Sequence, residues 1–308
     1  MPTISVIIPA YNSGPYLDEA VRSVIAQTFP DWECIVVDDG STEDLSRVEK
    51  MDPRVRLIRQ PNRGVSAARN NGMLRSIGEY IAFLDHDDVW LPGKLEKHVS
   101  VFRADPTIGL SHTSFDLIDA EGKRVGPGWV SPMEGYLEML SRGCPLPSMA
   151  AIRRECVGAA GLFDPFHPMV QDMDFFLRVA FYFGVKFIPA VESLYRLHRG
   201  NASRDYMRGY REILCIVRKH AATAEARGDI PALAAAWQLK RSRRNIAGAL
   251  AYDAARESIR SRDYPRAAGH LARSLVMAPS LATASLAKYA ASVATRSDRT
   301  GGQPGPRD

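Results

Sequence analysis

The chain has 308 residues, 45% of them hydrophobic and 24% charged, enough apolar side chain for one large domain with an appendage or for two domains. No run of about 20 apolar residues occurs, which argues against a membrane-spanning helix. The net charge of +5 is uneven: residues 204–308 carry +10 and the first 203 carry −5, so the C-terminal part is expected either to meet an anionic surface, whether membrane, nucleic acid or protein, or to form a solvated helical surface.

The opening "MPTISVIIPAYN" has neither the basic start nor the cleavage site of a signal peptide, so a cytoplasmic location is expected. "ISVIIPAYN" is a β-branched run ending in turn residues and predicts a first strand. Leu17, Ala20, Val21, Val24 and Ile25 then recur at helical spacing, with Pro15 suited to the first turn. "WECIVVDDGS" predicts a second strand broken at Asp39-Gly40, with Ser41 or Thr42 placed to cap a helix and Asp44 in its first turn. Cys34 lies in that strand. The four cysteines fit neither a zinc site nor a C-x-x-C pair, and no disulfide is expected.

"VRLIRQ" predicts a third strand, "GVSAARNNGMLRSI" a helix and "EYIAFLD" a fourth strand. Pro92 then opens a helix with Leu95, Val99 and Phe102 on one face. This alternation predicts an α/β fold, a mostly parallel sheet flanked by helices, with ligands beyond the carboxyl ends of the strands. Residues 111–170 are rich in Gly and Pro. Within and after them, "SMAAIRRECVGAAGLFDP" predicts a strand, a short helix and a turn, and "DMDFFLRVAFYFG" predicts an apolar helix ending at Gly184. "VKFIPAV" follows as a strand. Ala- and Arg-rich helical segments then run from about Tyr206 to Ala294. One stretch, "YDAARESIRSRDYPRAAGHLARSLVMAP", is similar to a tetratricopeptide-type hairpin, but no second copy follows at a fixed period. The expected organisation is an α/β domain over 1–203, a basic α-helical region over 204–295 and a flexible tail over 296–308.

Polar clusters fall after three of the predicted strands: "PAYN" (Pro9, Ala10, Tyr11, Asn12), "DDGS" with Asp39, and "DHDD" with Asp85, His86, Asp87 and Asp88. In extended backbone, residues i and i+2 point to one side, so Asp85 and Asp87 can face one target. A hard divalent cation such as Mn2+ or Mg2+ suits them, holding a few carboxylate oxygens together with substrate phosphates. Capping of the helix near Pro92 accounts for only one of these aspartates, Asp87 or Asp88. Tyr11 can stack on a planar base or pack at the rim. Asp39 can accept hydrogen bonds from a base or ribose. Arg69 can meet a phosphate or pair with an acid.

Seven stretches together resemble the nucleotide-sugar-dependent glycosyltransferases of family 2, which have the GT-A fold. They are "SVIIPAYN", "VVDDGST", "GVSAARNNG", "YIAFLDHDDVWLPGKL", "MAAIRRECVGAAGLFD", "QDMDFFLRV" and "YRLHRGNAS", and they span roughly residues 3 to 203. The resemblance implies a GT-A type sheet, a nucleoside-diphosphate sugar donor (a UDP-sugar), a divalent metal and inversion at the anomeric carbon. It implies that Tyr11 stacks on the base and Asp39 hydrogen-bonds it, with Pro9, Ala10, Asn12 and Arg69 also at the donor. Asp85 then lies towards ribose or sugar, Asp87 holds the metal, and His198 reaches the metal or the diphosphate or else is a polar loop residue. Asp172 is the implied general base, with Gln171 standing where the family usually has an acid. Asp172 and Asp174 diverge by about 200° on a helix, so only one faces the sugar. The implied acceptor is a cell-surface glycan or lipid-linked saccharide. The basic helices are expected at the inner face of an anionic membrane, and no nucleic-acid partner is expected.

A dehydrogenase would want G-x-G-x-x-G after the first strand, which "PAYNSGPY" does not supply. A two-metal phosphatase or nuclease would need a further His and Asp cluster. A donor-binding scaffold without activity is the remaining alternative, and the intact Asp39, Asp85, Asp87 and Asp172 argue against it.

Overall fold

The computed structural model describes residues 1–128, 132–198, 200–201, 206–261 and 263–278. The strands are β1 (Ile4–Ala10), β2 (Trp32–Asp38), β3 (Val55–Arg59), β4 (Tyr80–Phe83), β5 (Val89–Trp90), β6 (Ile108–Ile118), β7 (Arg124–Pro127), β8 (Ala150–Arg153) and β9 (Gly184–Arg196). The helices are α1 (Tyr16–Ile25), α2 (Val65–Arg75), α3 (Lys94–Ala104), α4 (Tyr136–Arg142), α5 (Cys156–Ala160), α6 (Gln171–Tyr182), α7 (Tyr206–Arg227), α8 (Ile230–Arg260) and α9 (Tyr264–Met277).

The sheet runs β3-β2-β1-β4-β8-β6-β9-β5, with β7 paired to β6. Parallel pairing holds across β3-β2-β1-β4, as the alternation of strand and helix predicts. Beyond β4 the sheet is mixed: β8 is antiparallel to both β4 and β6, while β6 and β9 are parallel. The irregular spacing of residues 111–170 carries this reversal, since antiparallel neighbours need no crossover helix.

Every residue of β1 and β2 is buried, because helices cover both faces. Ile4, Val6 and Ile8 face one side with Cys34 and Val36, packing on Leu17, Ala20, Val21 and Val24 of α1 and Leu95, Val99 and Phe102 of α3. Ile7, Ile35 and Val37 face the other side, against Ala68 of α2 and Phe175 and Phe176 of α6. The period-2 alternation of the strand thus assigns each helix to a face.

That second core continues into Ile216 and Val217 of α7 and Ala235, Ala236 and Leu239 of α8. The C-terminal helices therefore share a core with the α/β body. The expected boundary at 203/204, and the part of the helical region and tail beyond residue 278, lie outside the described residues. Asp229 and Asp263 cap α8 and α9, accepting the N–H groups of Ala232 at 3.0 Å and Arg266 at 3.2 Å. The α8–α9 pair is the helical hairpin expected from the sequence. The four cysteines are free.

Three local expectations are corrected. No α-helix follows Ser41 and Thr42; a 3-10 turn spans Ser46–Lys50, because the Ser41 hydroxyl is occupied by the Asn12 N–H at 3.0 Å. The apolar helix ends at Tyr182, and Gly184 already starts β9, its N–H bonding the Thr107 carbonyl at 2.9 Å. The strand seen in "VKFIPAV" extends to Arg196, because β6 and β5 continue to pair with it.

Candidate active site

Parallel register brings the ends of β1 and β2 side by side, Ala10 opposite Asp38, and the Asp39 N–H bonds the Ala10 carbonyl at 2.8 Å. Asn12 adopts φ +47° in the left-handed region, which Asn tolerates better than most residues. Its side-chain oxygen accepts the Thr42 N–H at 3.0 Å, so the loops after β1 and β2 are stitched together. Tyr11, 48% exposed, stands at the rim with a free face. Pro9 and Ala10 are buried in the strand, and the Pro9 carbonyl accepts His86 Nδ1–H at 3.2 Å.

Asp39 is buried and already engaged. One carboxylate oxygen accepts Gln60 Nε2 at 2.7 Å and the Arg63 N–H at 2.9 Å, and the other accepts the Gly64 N–H at 2.8 Å. It therefore holds the loop that leads into α2. Gly40 permits the turn: its φ is +83°, and a Cβ there would lie 2.8 Å from the Asn62 nitrogen.

From α2, the buried Arg69 donates through Nη2 to Asp85. Its Nε and Nη1 have no hydrogen-bond partner. A buried guanidinium with two free donors is an oriented cation facing the carboxylates. Asp85 is fixed through its backbone, whose N–H donates to Ser148 Oγ at 3.0 Å. Two residues on, Asp87 Oδ2 accepts the Nε2–H of His198 at 2.8 Å. His198 Nδ1 accepts the Gly200 N–H at 3.1 Å, which places the ring proton on Nε2.

Asp88 does not cap α3. The N-cap there is Gly93, without a side-chain bond, and Asp88 instead lies buried beneath the turn, accepting the Arg196 N–H at 3.0 Å. Burial, together with the charges of Asp87 and Asp85, holds its carboxyl well above the usual range.

Asp172 and Asp174 separate as the helix geometry requires. Asp174 is fully buried on α6, paired with Arg178 at 2.8 Å and Lys219 at 2.7 Å. Burial works to raise its pKa, but those two cations hold it below the usual value. Asp172 faces a cavity of about 310 Å³ bounded by α6, α7 and α8. Burial raises its carboxyl to about 6, against the opposing pull of Arg69. A carboxylate poised there is ionised at neutral pH yet basic enough to take a proton. Gln171 beside it is buried, and its Oε1 has no hydrogen-bond partner.

Residues 5–157 match the model of the family described as glycosyl transferase family 2. The chain belongs to this family. An uncharacterized glycosyltransferase of Nostoc sp. is 34% identical over 212 residues, covering 64% of this chain and 66% of that protein. The putative teichuronic acid biosynthesis glycosyltransferase TuaG of Bacillus subtilis is 40% identical over 126 residues, 39% of this chain and 50% of TuaG. The Escherichia coli UDP-Glc:alpha-D-GlcNAc-diphosphoundecaprenol beta-1,3-glucosyltransferase WfgD is 29% identical over 178 residues, 56% of this chain and 67% of WfgD. Across these relatives and three uncharacterized glycosyltransferases of Rickettsia, the aligned part spans between about a fifth and about two thirds of their own length.

Among solved structures, S. aureus TarS 1–349 in complex with UDP-GlcNAc superposes with a TM-score of 0.64 at 16% identity, covering 90% of this chain and 91% of that one. The mannosyltransferase PcManGT from Pyrobaculum calidifontis, in complex with GDP-Man and Mn2+, gives 0.60 at 19% identity, covering 97% and 82%. These likenesses establish the GT-A type fold of this family 2 member, with its C-terminal helices included in the superposed length.

The sequence did not single out Arg196, Ser148 or Lys94. Arg196 sits fully buried at the end of β9, and its Nε donates to the Asp87 carbonyl at 2.9 Å. Ser148 holds Asp85 and also bonds Asp88. Lys94, buried with its Nζ 3.1 Å from Thr113 Oγ1, is pushed down to about 7 by burial. The one available signal was the Arg in "YRLH", a charged residue ending an apolar strand.

Proposed function

We propose that the protein is an inverting glycosyltransferase that moves a sugar from a nucleoside-diphosphate donor to an acceptor hydroxyl of a cell-surface glycan or lipid-linked saccharide. The observation carrying this is Asp172, a single carboxylate raised to about 6 and electrostatically coupled to Arg69 and Asp85. A sugar hydroxyl is a weak nucleophile, so a base within hydrogen-bond reach must take its proton as attack proceeds. Asp172 is that base. Displacement from the opposite face needs only this one base and inverts the anomeric centre.

In this reading Tyr11 stacks on the nucleobase and Asp39 bonds its edge, with Pro9, Ala10 and Asn12 forming the floor. Asp85 bonds ribose or sugar, held in place by Arg69. The free Nε and Nη1 of Arg69 favour a negatively charged group. The donor is a UDP-sugar, a reading supported by the complex of TarS with UDP-GlcNAc and by the UDP-Glc donor of WfgD.

Among the described residues no group of three His, Cys, Asp or Glu side chains forms a ready-made metal cage. A divalent ion shared with a diphosphate does not need one. Asp87 and His198, each 17% exposed, offer the oxygen and nitrogen donors that Mn2+ accepts. For His198 to ligate through Nε2, its ring proton must leave that nitrogen. When bound, the cation would neutralise charge on the departing diphosphate.

Incubation with a panel of UDP-sugars and Mn2+ should release UDP, and excess chelator should lower the rate more than ten-fold. Full activity in chelator would remove the metal from this reading. No helix among the described residues is long and apolar enough to cross a membrane. Peripheral attachment at the inner membrane face would use basic helices such as α8, with Lys240, Arg241 and Arg244 in one stretch. Co-sedimentation with anionic vesicles that fades as salt rises is the expected result; indifference to lipid would exclude this attachment.

A further inference from the structure

The cavity beside Asp172 has a second wall that the donor chemistry does not use. Met169, Ile213 of α7, and Ile246 and Leu250 of α8 line it. Ile246 and Leu250 are also 45% and 44% exposed, so the apolar lining continues outward to the surface. Within this lining stands one cation, Arg243. Its Nη2 donates to the Arg142 carbonyl at 3.1 Å, while its buried Nε has no hydrogen-bond partner. Gly143 gives it room: φ there is +114°, and a Cβ would fall 2.2 Å from Nη2. Burial lowers the pKa of Arg243, and the charge of Asp172 opposes that, so the guanidinium lies within the field of the proposed base.

An apolar pocket offers a half-buried guanidinium few partners, and an anion would offset the cost. Lys240, Arg241 and Arg244 add positive charge along the same stretch of α8. A volume of about 310 Å³ is in the range of small-ligand sites.

We propose that the cleft between α6, α7 and α8 is the acceptor subsite, built for a saccharide joined through phosphate to an alkyl or polyprenyl chain. The phosphate pairs with Arg243 and the first carbons of the chain lie along Ile213, Ile246 and Leu250. The sugar hydroxyl is thereby delivered to Asp172. This rests on the transferase reading and assigns the C-terminal helices to acceptor recognition.

The test is isothermal titration of the full chain with dodecyl phosphate below its micelle concentration, with dodecyl maltoside and inorganic phosphate as separate arms and UDP with Mn2+ as the donor-site control. Dodecyl phosphate should bind one to one, at least ten-fold tighter than either single-feature probe. Arg243→Gln and the surface-accessible Leu250→Asp should each weaken it about ten-fold and leave UDP binding unchanged. Equal binding to wild type and Arg243→Gln would overturn the subsite, as would no binding by a protein that still takes UDP. Failure of wild type to bind UDP would instead overturn the transferase reading, and the acceptor assignment with it.

Discussion

Asp172→Asn is expected to lower turnover by roughly 10²- to 10⁴-fold, the range for removing a positioned general base. Donor affinity should be unchanged, because the residues proposed to hold the donor lie at the ends of β1, β2 and β4 and on α2. The wild-type rate should rise with pH through an apparent pKa near the value of about 6 and level off above it, since only the ionised carboxylate can accept a proton. A flat profile, or one falling between pH 5 and 7, would exclude Asp172 as the base.

Stability supplies an independent check. A carboxyl whose pKa is raised by folding contributes fully below its unfolded value of 3.8, and that contribution is lost as pH rises through about 6. Above that pH the ionised side chain opposes folding, on the order of 1–3 kcal/mol for a shift of this size. Asp172→Asn should therefore melt at the same temperature as wild type or higher at pH 8, so that lost activity cannot be attributed to unfolding. Asp174→Asn should behave in the opposite way. It weakens the pairs with Arg178 and Lys219, and should lower the melting temperature without the same loss of chemistry.

The parts of the site that were legible in the sequence are those where local geometry and residue type coincide. Strand ends followed by turn residues placed Tyr11, Asn12, Asp39, Asp85 and Asp87 at one edge of a parallel sheet, and the register of β1 with β2 and β4 places those strand ends side by side. The two-residue spacing separated Asp172 from Asp174 because helical phase is a local property. What stayed hidden depends on contacts between distant segments. Asp88 reads as a helix cap only while Arg196, 108 residues away, is unknown. Likewise Ser41 reads as a cap until the Asn12 N–H takes its hydroxyl. The basic stretch on α8 reads as a contact for an anionic surface or as a solvated face, whereas Arg243 lines a cavity beside the base, a placement fixed by the packing of α8 against α4 and α7.

Arg196→Met is expected to cost about 3 kcal/mol or more, lowering the melting temperature by roughly 6 °C or more, and to raise the KM for donor. The methionine retains much of the apolar stem but none of the donors. In wild type, Arg196 Nε bonds the Asp87 carbonyl at 2.9 Å, Nη1 bonds the Ala120 carbonyl at 3.1 Å, and Nη2 pairs with Glu19 of α1. The guanidinium also lies 4.6 Å from the Tyr16 ring centroid, and Tyr16 packs on His198 at 5.2 Å. Removing it leaves buried carbonyls unpaired and frees the turn that carries Asp87. Lysine should not rescue the defect, since a single ammonium cannot span these acceptors as the planar fork does. Glu19→Gln separates the two consequences. Glu19 is half exposed, so its loss should cost little stability. The bonds from Arg196 to the Asp87 turn remain in that variant, and its donor KM should match wild type. If Glu19→Gln raised KM as much as Arg196→Met, the anchor would act through α1 rather than through the aspartate turn.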